Sequence, residues 1–153
     1  MVDPWSYSSK TNTEFANQVS LFMWANMACQ FGVEVADDPL SYSKPGYIAK
    51  FDWNPEPRLR WLHAIHNQGH GDAVRGARAK AEGVKEGVSD LFLPVPILKS
   101  VAWHGLYIEL KVGSNKPSTA QANFISDMRE VGYDAVCLNG WEACRAKILE
   151  YLS

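Results

Sequence analysis

Three side chains in this sequence could together attack a phosphodiester: Asp90, Glu109 and Lys111. Glu109 and Lys111 flank a leucine, and side chains two apart on a strand leave by the same face. A carboxylate beside an ammonium is ordinarily a solvent-facing ion pair. Here the even positions of the run, Leu106, Ile108, Leu110 and Val112, are all apolar. The strand therefore reads as interior, where a charged pair is costly unless it has a task. Asp90 opens the preceding strand candidate. Two carboxylates from adjacent strands can converge on a hard divalent cation such as Mg²⁺ or Mn²⁺. The main-chain carbonyl of Leu110 could be a third oxygen ligand. A cation so held polarises a phosphodiester and lowers the pKa of a bound water. Lys111 would then orient the nucleophile or stabilise charge developing on the phosphate.

These residues need elements to hold them. A first helix is expected over about residues 11–31, with Thr11 and Glu14 spaced as a capping box and Gly32 as its stop. Residues 32–57 read as an irregular connection, rich in Asp, Pro, Ser, Gly and Tyr. Arg58–Ile65 reads as a strand, His66–Gly71 as a polar loop, and Asp72–Glu82 as a helix. Gly83 and Gly87 bracket a tight turn into the strand Asp90–Pro94, which Pro94 and Pro96 end. After the strand Leu106–Val112, Gly113–Pro117 is a loop. Ser118 and Gln121 form a second capping-box spacing at the head of a helix. Tyr133–Leu138 reads as a strand and Trp141–Leu152 as a closing amphipathic helix. The order is that of an α/β sandwich on a mixed sheet.

The stretch AEGVKEGVSDLFLPVP, then GLYIELK, then PSTAQANFISDMREVGYDAVCLNGWEACRAKILEYL resembles the virus-type replication-repair nuclease (VRR-NUC) family of the PD-(D/E)xK nuclease superfamily. The resemblance covers roughly residues 58–152, and more weakly the helix at Glu14. It implies a restriction-endonuclease-like α/β/α sandwich with a central mixed β-sheet, in one domain spanning 1–153 with its core at 58–152. It implies that Asp90 and Glu109 bind Mg²⁺ or Mn²⁺ and that Lys111 is the catalytic lysine. Gln121 matches the family's glutamine after the core strand; the same residue also fits as the third helical residue of the Ser118 capping box. Glu14 matches an acid on the family's first helix, and its alternative role is capping with Thr11. Ser89 stands where the superfamily often has proline, and His66-Asn67 where relatives often show Pro-Asn.

Composition sets the frame. The chain has 153 residues, 46% hydrophobic and 21% charged, as in a single globular domain. No apolar run approaches the ~20 residues of a membrane span, and no secretory signal is evident, so a cytoplasmic protein without a membrane partner is expected. For a phage-encoded relative, that means the bacterial host cell. Cys29, Cys137 and Cys144 form no CxxC pair and read as small buried side chains. The net charge of −2 gives no global pull towards a polyanion. Arg75, Arg78, Lys80 and Lys85 are locally basic, and a solvated helix face explains them as well as a DNA contact does. Zinc at His63, His66 and His70 is disfavoured, because no cysteine pair completes four ligands. His66 could also contact DNA or join the site, and His104 reads as structural. Trp24, Trp61 and Trp141 are expected in the core. Trp5, Trp53 and Trp103 are candidates for exposure, and Gly113–Lys116 is a candidate DNA-facing loop.

The resemblance favours a metal-dependent, structure-specific endodeoxyribonuclease that cuts branched DNA. Small members of the family resemble Holliday-junction resolvases. A homodimer would supply two matched sites for two strands. The alternatives are a generic or restriction-like DNA nuclease and a DNA-binding domain without catalysis.

Overall fold

The computed structural model describes residues 11–39, 54–66, 73–98 and 101–153. Helix α1 spans Glu14–Phe31. Its cap is Thr13, whose hydroxyl accepts the Ala16 N–H at 3.1 Å, so Thr11 is not the capping residue. Asn12, at φ 33°, turns the chain between the two threonines and shifts the cap by two positions. Gly32 ends α1 as expected, at φ 106°. A Cβ there would lie 2.7 Å from the Asn54 carbonyl oxygen, so only glycine fits. The segment after it opens with a short helix α2, Val33–Asp37, rather than with irregular chain.

Residues 58–65 do not form one strand. Pro57–Trp61 is a 3₁₀ helix, and β1 is only His63–Ala64. Pro57 suits the first helical turn. Glu56 accepts the Arg58 N–H at 3.2 Å and grips the Arg58 guanidinium at 2.7 and 2.6 Å. That local side-chain capping outcompetes the extended chain. Helix α3 spans Ala73–Ala81. Strand β2 is Leu91–Leu93, and β3 (Ile97–Leu98) with β4 (Ala102–Trp103) forms a hairpin. Strand β5 is Leu106–Lys111, helix α4 is Thr119–Glu130, β6 is Asp134–Asn139 and α5 is Trp141–Leu152.

The main sheet has the order β1-β2-β5-β6. β1/β2 and β2/β5 are antiparallel, and β5/β6 are parallel. The sheet is therefore mixed, and β5 is an interior strand. One face carries Leu91, Leu93, Leu106, Ile108 and Leu110 into a core with Leu21 and Trp24 of α1 and Cys144 and Ile148 of α5. The opposite face carries Phe92, Tyr107 and Glu109 towards α4, with Phe124 edge-on to Tyr107 at 5.1 Å. Helices thus cover both faces, as a sandwich requires. Two hydrogen bonds fasten α1 and α2 to α5. The Trp24 indole N–H donates to Asp37 Oδ1 at 2.9 Å, and the Arg145 Nε donates to the same oxygen at 2.8 Å. Trp24 and Trp141 are buried as expected. Trp61 is not, because its 3₁₀ turn lifts it off the sheet.

Candidate active site

Alternation along β5 puts Tyr107, Glu109 and Lys111 on one face. Cross-strand register does the rest. Leu91 pairs with Ile108 and Phe92 with Tyr107, so the next step places Asp90 opposite Glu109. The turn before Asp90 is fixed by Gly87, at φ 85°, where a Cβ would meet the Ala120 carbonyl oxygen at 2.6 Å. That contact seats the Asp90 turn against the head of α4. On the other side, the Ile65 N–H donates to the Asp90 carbonyl at 2.7 Å.

The side chains converge. Lys111 Nζ lies 2.8 Å from Glu109 Oε1. Gln121 Nε2 donates to the same oxygen. Asp90 Oδ2 accepts the Leu110 N–H at 3.0 Å. Glu14 Oε1 lies 3.6 Å from Lys111 Nζ and accepts from Asn115 Nδ2 at 3.4 Å. All five side-chain residues expected at the site therefore meet around the C-terminal end of β5. Gln121 takes its capping role and also reaches Glu109. Its Oε1 accepts the Ser118 N–H at 2.8 Å in the capping box, and its amide reaches Glu109. The cap of α1 is Thr13 and not Thr11, and the Glu14 carboxylate faces Lys111.

Electrostatics mark the pair as unsettled on its own. Glu109 is fully buried. Burial pushes its carboxyl up to about 7, helped by the Asp90 charge and opposed by the Lys111 ammonium. Burial also raises Asp90, against the pull of the Leu110 N–H and of Lys111. Burial works against the Lys111 ammonium, but its hydrogen bond to Glu109 and the surrounding acids outweigh that and hold its pKa above the ordinary value. Glu109 Oε2 is buried and has no hydrogen-bond partner. A buried carboxylate oxygen left so is expensive unless a proton or cation meets it.

The donor set suits a hard cation. It consists of two carboxylates and the Leu110 carbonyl. In an antiparallel ladder the N–H and C=O of one residue leave by the same edge. The Leu110 N–H points to Asp90 beyond the end of β2, so its carbonyl leaves on that edge too. Among the described residues no group of three His, Cys, Asp or Glu side chains gathers for a metal. His63 is exposed and sets its ring edge-on to Phe92, while His70 lies outside the described residues. His66 is exposed. His104 is structural: its N–H donates to Gly132 and its ring meets Tyr133 at 5.6 Å. Arg78 of α3 pairs with Glu82 just past the helix at 3.6 Å, and Lys80 and Lys85 are exposed.

Sequence reasoning missed two supporting residues. Asn139 pairs in register with Lys111 and donates from its amide to the Gly113 carbonyl at 2.6 Å. Asn115 reaches back to Glu14. Together they tie down the loop that follows Lys111. Asn139 carried only a turn signal beside Gly140, and Asn115 carried no signal beyond its place in the candidate DNA-facing loop.

No family model and no curated protein matches the sequence. The chain is similar to a solved structure described as a VRR_NUC domain protein, with 28% sequence identity and a TM-score of 0.52. The likeness covers 78% of this chain and 85% of that one. With the mixed sheet and the helices on both faces, the chain is similar in fold to that VRR_NUC nuclease domain.

Proposed function

We propose that the protein is a divalent-metal-dependent endodeoxyribonuclease that hydrolyses phosphodiester bonds in branched DNA. The observation that carries this reading is the buried Glu109 Oε2, left without a hydrogen-bond partner across the strand pair from Asp90. Asp90, Glu109 and the Leu110 carbonyl would hold Mg²⁺ or Mn²⁺. When bound, the cation supplies Lewis-acid polarisation of the phosphate and acidifies water.

The protein's own groups do the remaining work. Gln121 and Lys111 converge on Glu109 Oε1, which fixes that carboxylate in one rotamer. Lys111 is held charged by its acid neighbours, so it can orient the attacking water and face the growing charge on the phosphate. Glu14 steadies the lysine from the solvent side.

Preference for branched DNA and action as a homodimer follow from the likeness to small VRR-NUC domains and from symmetry. Two strands at a junction need two cuts, and a two-fold dimer supplies two identical sites. The test is a cleavage panel of four-way junction, flap, single-stranded and linear duplex DNA, each with Mg²⁺ and Mn²⁺, with light scattering for the assembly. Paired cuts in the junction by a dimer are expected. Cleavage confined to one linear sequence would contradict the branched-DNA reading, and a monomer on and off DNA would contradict the paired cut.

A further inference from the structure

Trp61 is 55% exposed. A tryptophan packed into a core removes about 150–250 Å² from water, so this position forgoes a large stabilisation. The ring is not bare. The Arg60 guanidinium lies over it, 5.0 Å from the centroid, and Arg60 forms no ion pair among the described residues. The pedestal beneath is fixed. Glu56 clamps Arg58, Leu59 is buried, and His63 Nδ1 lies 2.9 Å from the Trp61 carbonyl. A rigid turn therefore presents an aromatic plane and a guanidinium stacked over it to solvent.

The turn leads directly into the site. His63 pairs with Phe92, Ala64 with Leu91, and the Ile65 N–H binds the Asp90 carbonyl. Trp61 is four residues before Ile65, a span of at most about 14 Å. An aromatic face stacks on any nucleobase, and a guanidinium binds phosphate. A base inside a duplex has both faces already occupied, so an exposed ring selects an unpaired one. With a net charge of −2, affinity for DNA has to come from local groups of this kind.

We infer that Trp61 and Arg60 form a docking element for an unpaired base and its phosphate, on the chain segment that runs into the Asp90 end of the sheet. The inference rests on the DNA-cleaving reading above, and it gives that reading a physical source of preference for branched DNA with single-stranded arms, such as forks and flaps, over blunt duplex.

The test is fluorescence anisotropy in Ca²⁺ with a labelled fork bearing single-stranded arms and a blunt duplex of equal length. Trp61→Ala should weaken binding to the fork about tenfold, with a smaller loss on the duplex. Trp61→Phe should retain most of the affinity. Tryptophan emission of the wild type should be quenched by the fork, and less so in Trp61→Phe. The exposed position predicts an unchanged thermal midpoint, within about 2 °C, for both variants. If the wild type binds and cuts forks and Trp61→Ala binds them equally well, the inference fails and the nuclease reading stands. If Trp61→Phe is as weak as Trp61→Ala, stacking is not the cause and the inference fails. If the wild type neither binds nor cuts DNA, both fail.

Discussion

Asp90 and Glu109 stand opposite each other on antiparallel strands, and their two carboxyls interact electrostatically, with the buried Glu109 Oε2 bonded to no donor of the protein. Two carboxylates so placed repel each other when both are charged. Asp90→Asn should therefore raise the metal-free stability by about 1 kcal/mol, or a few degrees in thermal midpoint, while lowering cleavage by about a hundredfold or more. Calorimetric melting in EDTA beside a cleavage assay checks both directions at once.

The same pair gives a pH dependence. In metal-free protein the Glu109 carboxyl is pushed up to about 7 from an ordinary value of 4.5. Between those values the folded state holds a proton that the unfolded chain has released. Stability therefore falls as pH rises through that window. Denaturant melts in EDTA should show a loss on the order of 3 kcal/mol across it. Glu109→Gln should flatten the slope, and saturating Mg²⁺ should restore stability at the upper end.

Ser118 and Gln121 separate capping from chemistry. Ser118→Ala removes the hydroxyl that accepts the Gln121 N–H at 3.2 Å. It should cost about 1 kcal/mol of stability. Gln121→Ala loses the other half of the box and the contact to Glu109 as well. It should lower cleavage at saturating DNA by about tenfold beyond any effect of Ser118→Ala. Equal activity in the two variants would mean that Gln121 only caps.

Two glycines in one turn predict different outcomes. Gly83 has φ 93° and a Cβ added there would meet nothing within 4 Å, whereas Gly87 has φ 85° and an added Cβ would lie 2.6 Å from the Ala120 backbone. Gly83→Ala should cost about 1 kcal/mol from its backbone angle alone. Gly87→Ala adds a backbone collision and should cost about 2 kcal/mol or more, with cleavage reduced because Asp90 moves. Thermal melts of the two variants side by side measure the difference.

Much of the site was legible because it rests on short-range rules. Alternation set Glu109 and Lys111 on one face, and their apolar neighbours marked β5 as interior. The Ser118–Gln121 spacing announced the α4 cap, and the structure adds that the same glutamine reaches Glu109. Asp90 was not fixed by spacing, because its partner depends on strand register 19 positions away. The misread parts have local causes. Pro57 and the Glu56–Arg58 clamp turn an apolar, strand-like run into a 3₁₀ helix, and that turn exposes Trp61. Asn12 shifts the α1 cap from Thr11 to Thr13 and frees Glu14 for Lys111. The tethers from Asn115 and Asn139 join residues 101 and 26 positions apart in sequence, which no periodicity reveals.

The most direct measurement is the rate of four-way-junction cleavage by wild type and by Glu109→Gln, each in Mn²⁺ and in EDTA. A site built on Asp90, Glu109 and Lys111 predicts cutting by the wild type in Mn²⁺ and in no other arm. Cleavage by the wild type in EDTA, or by Glu109→Gln at the wild-type rate, would contradict it.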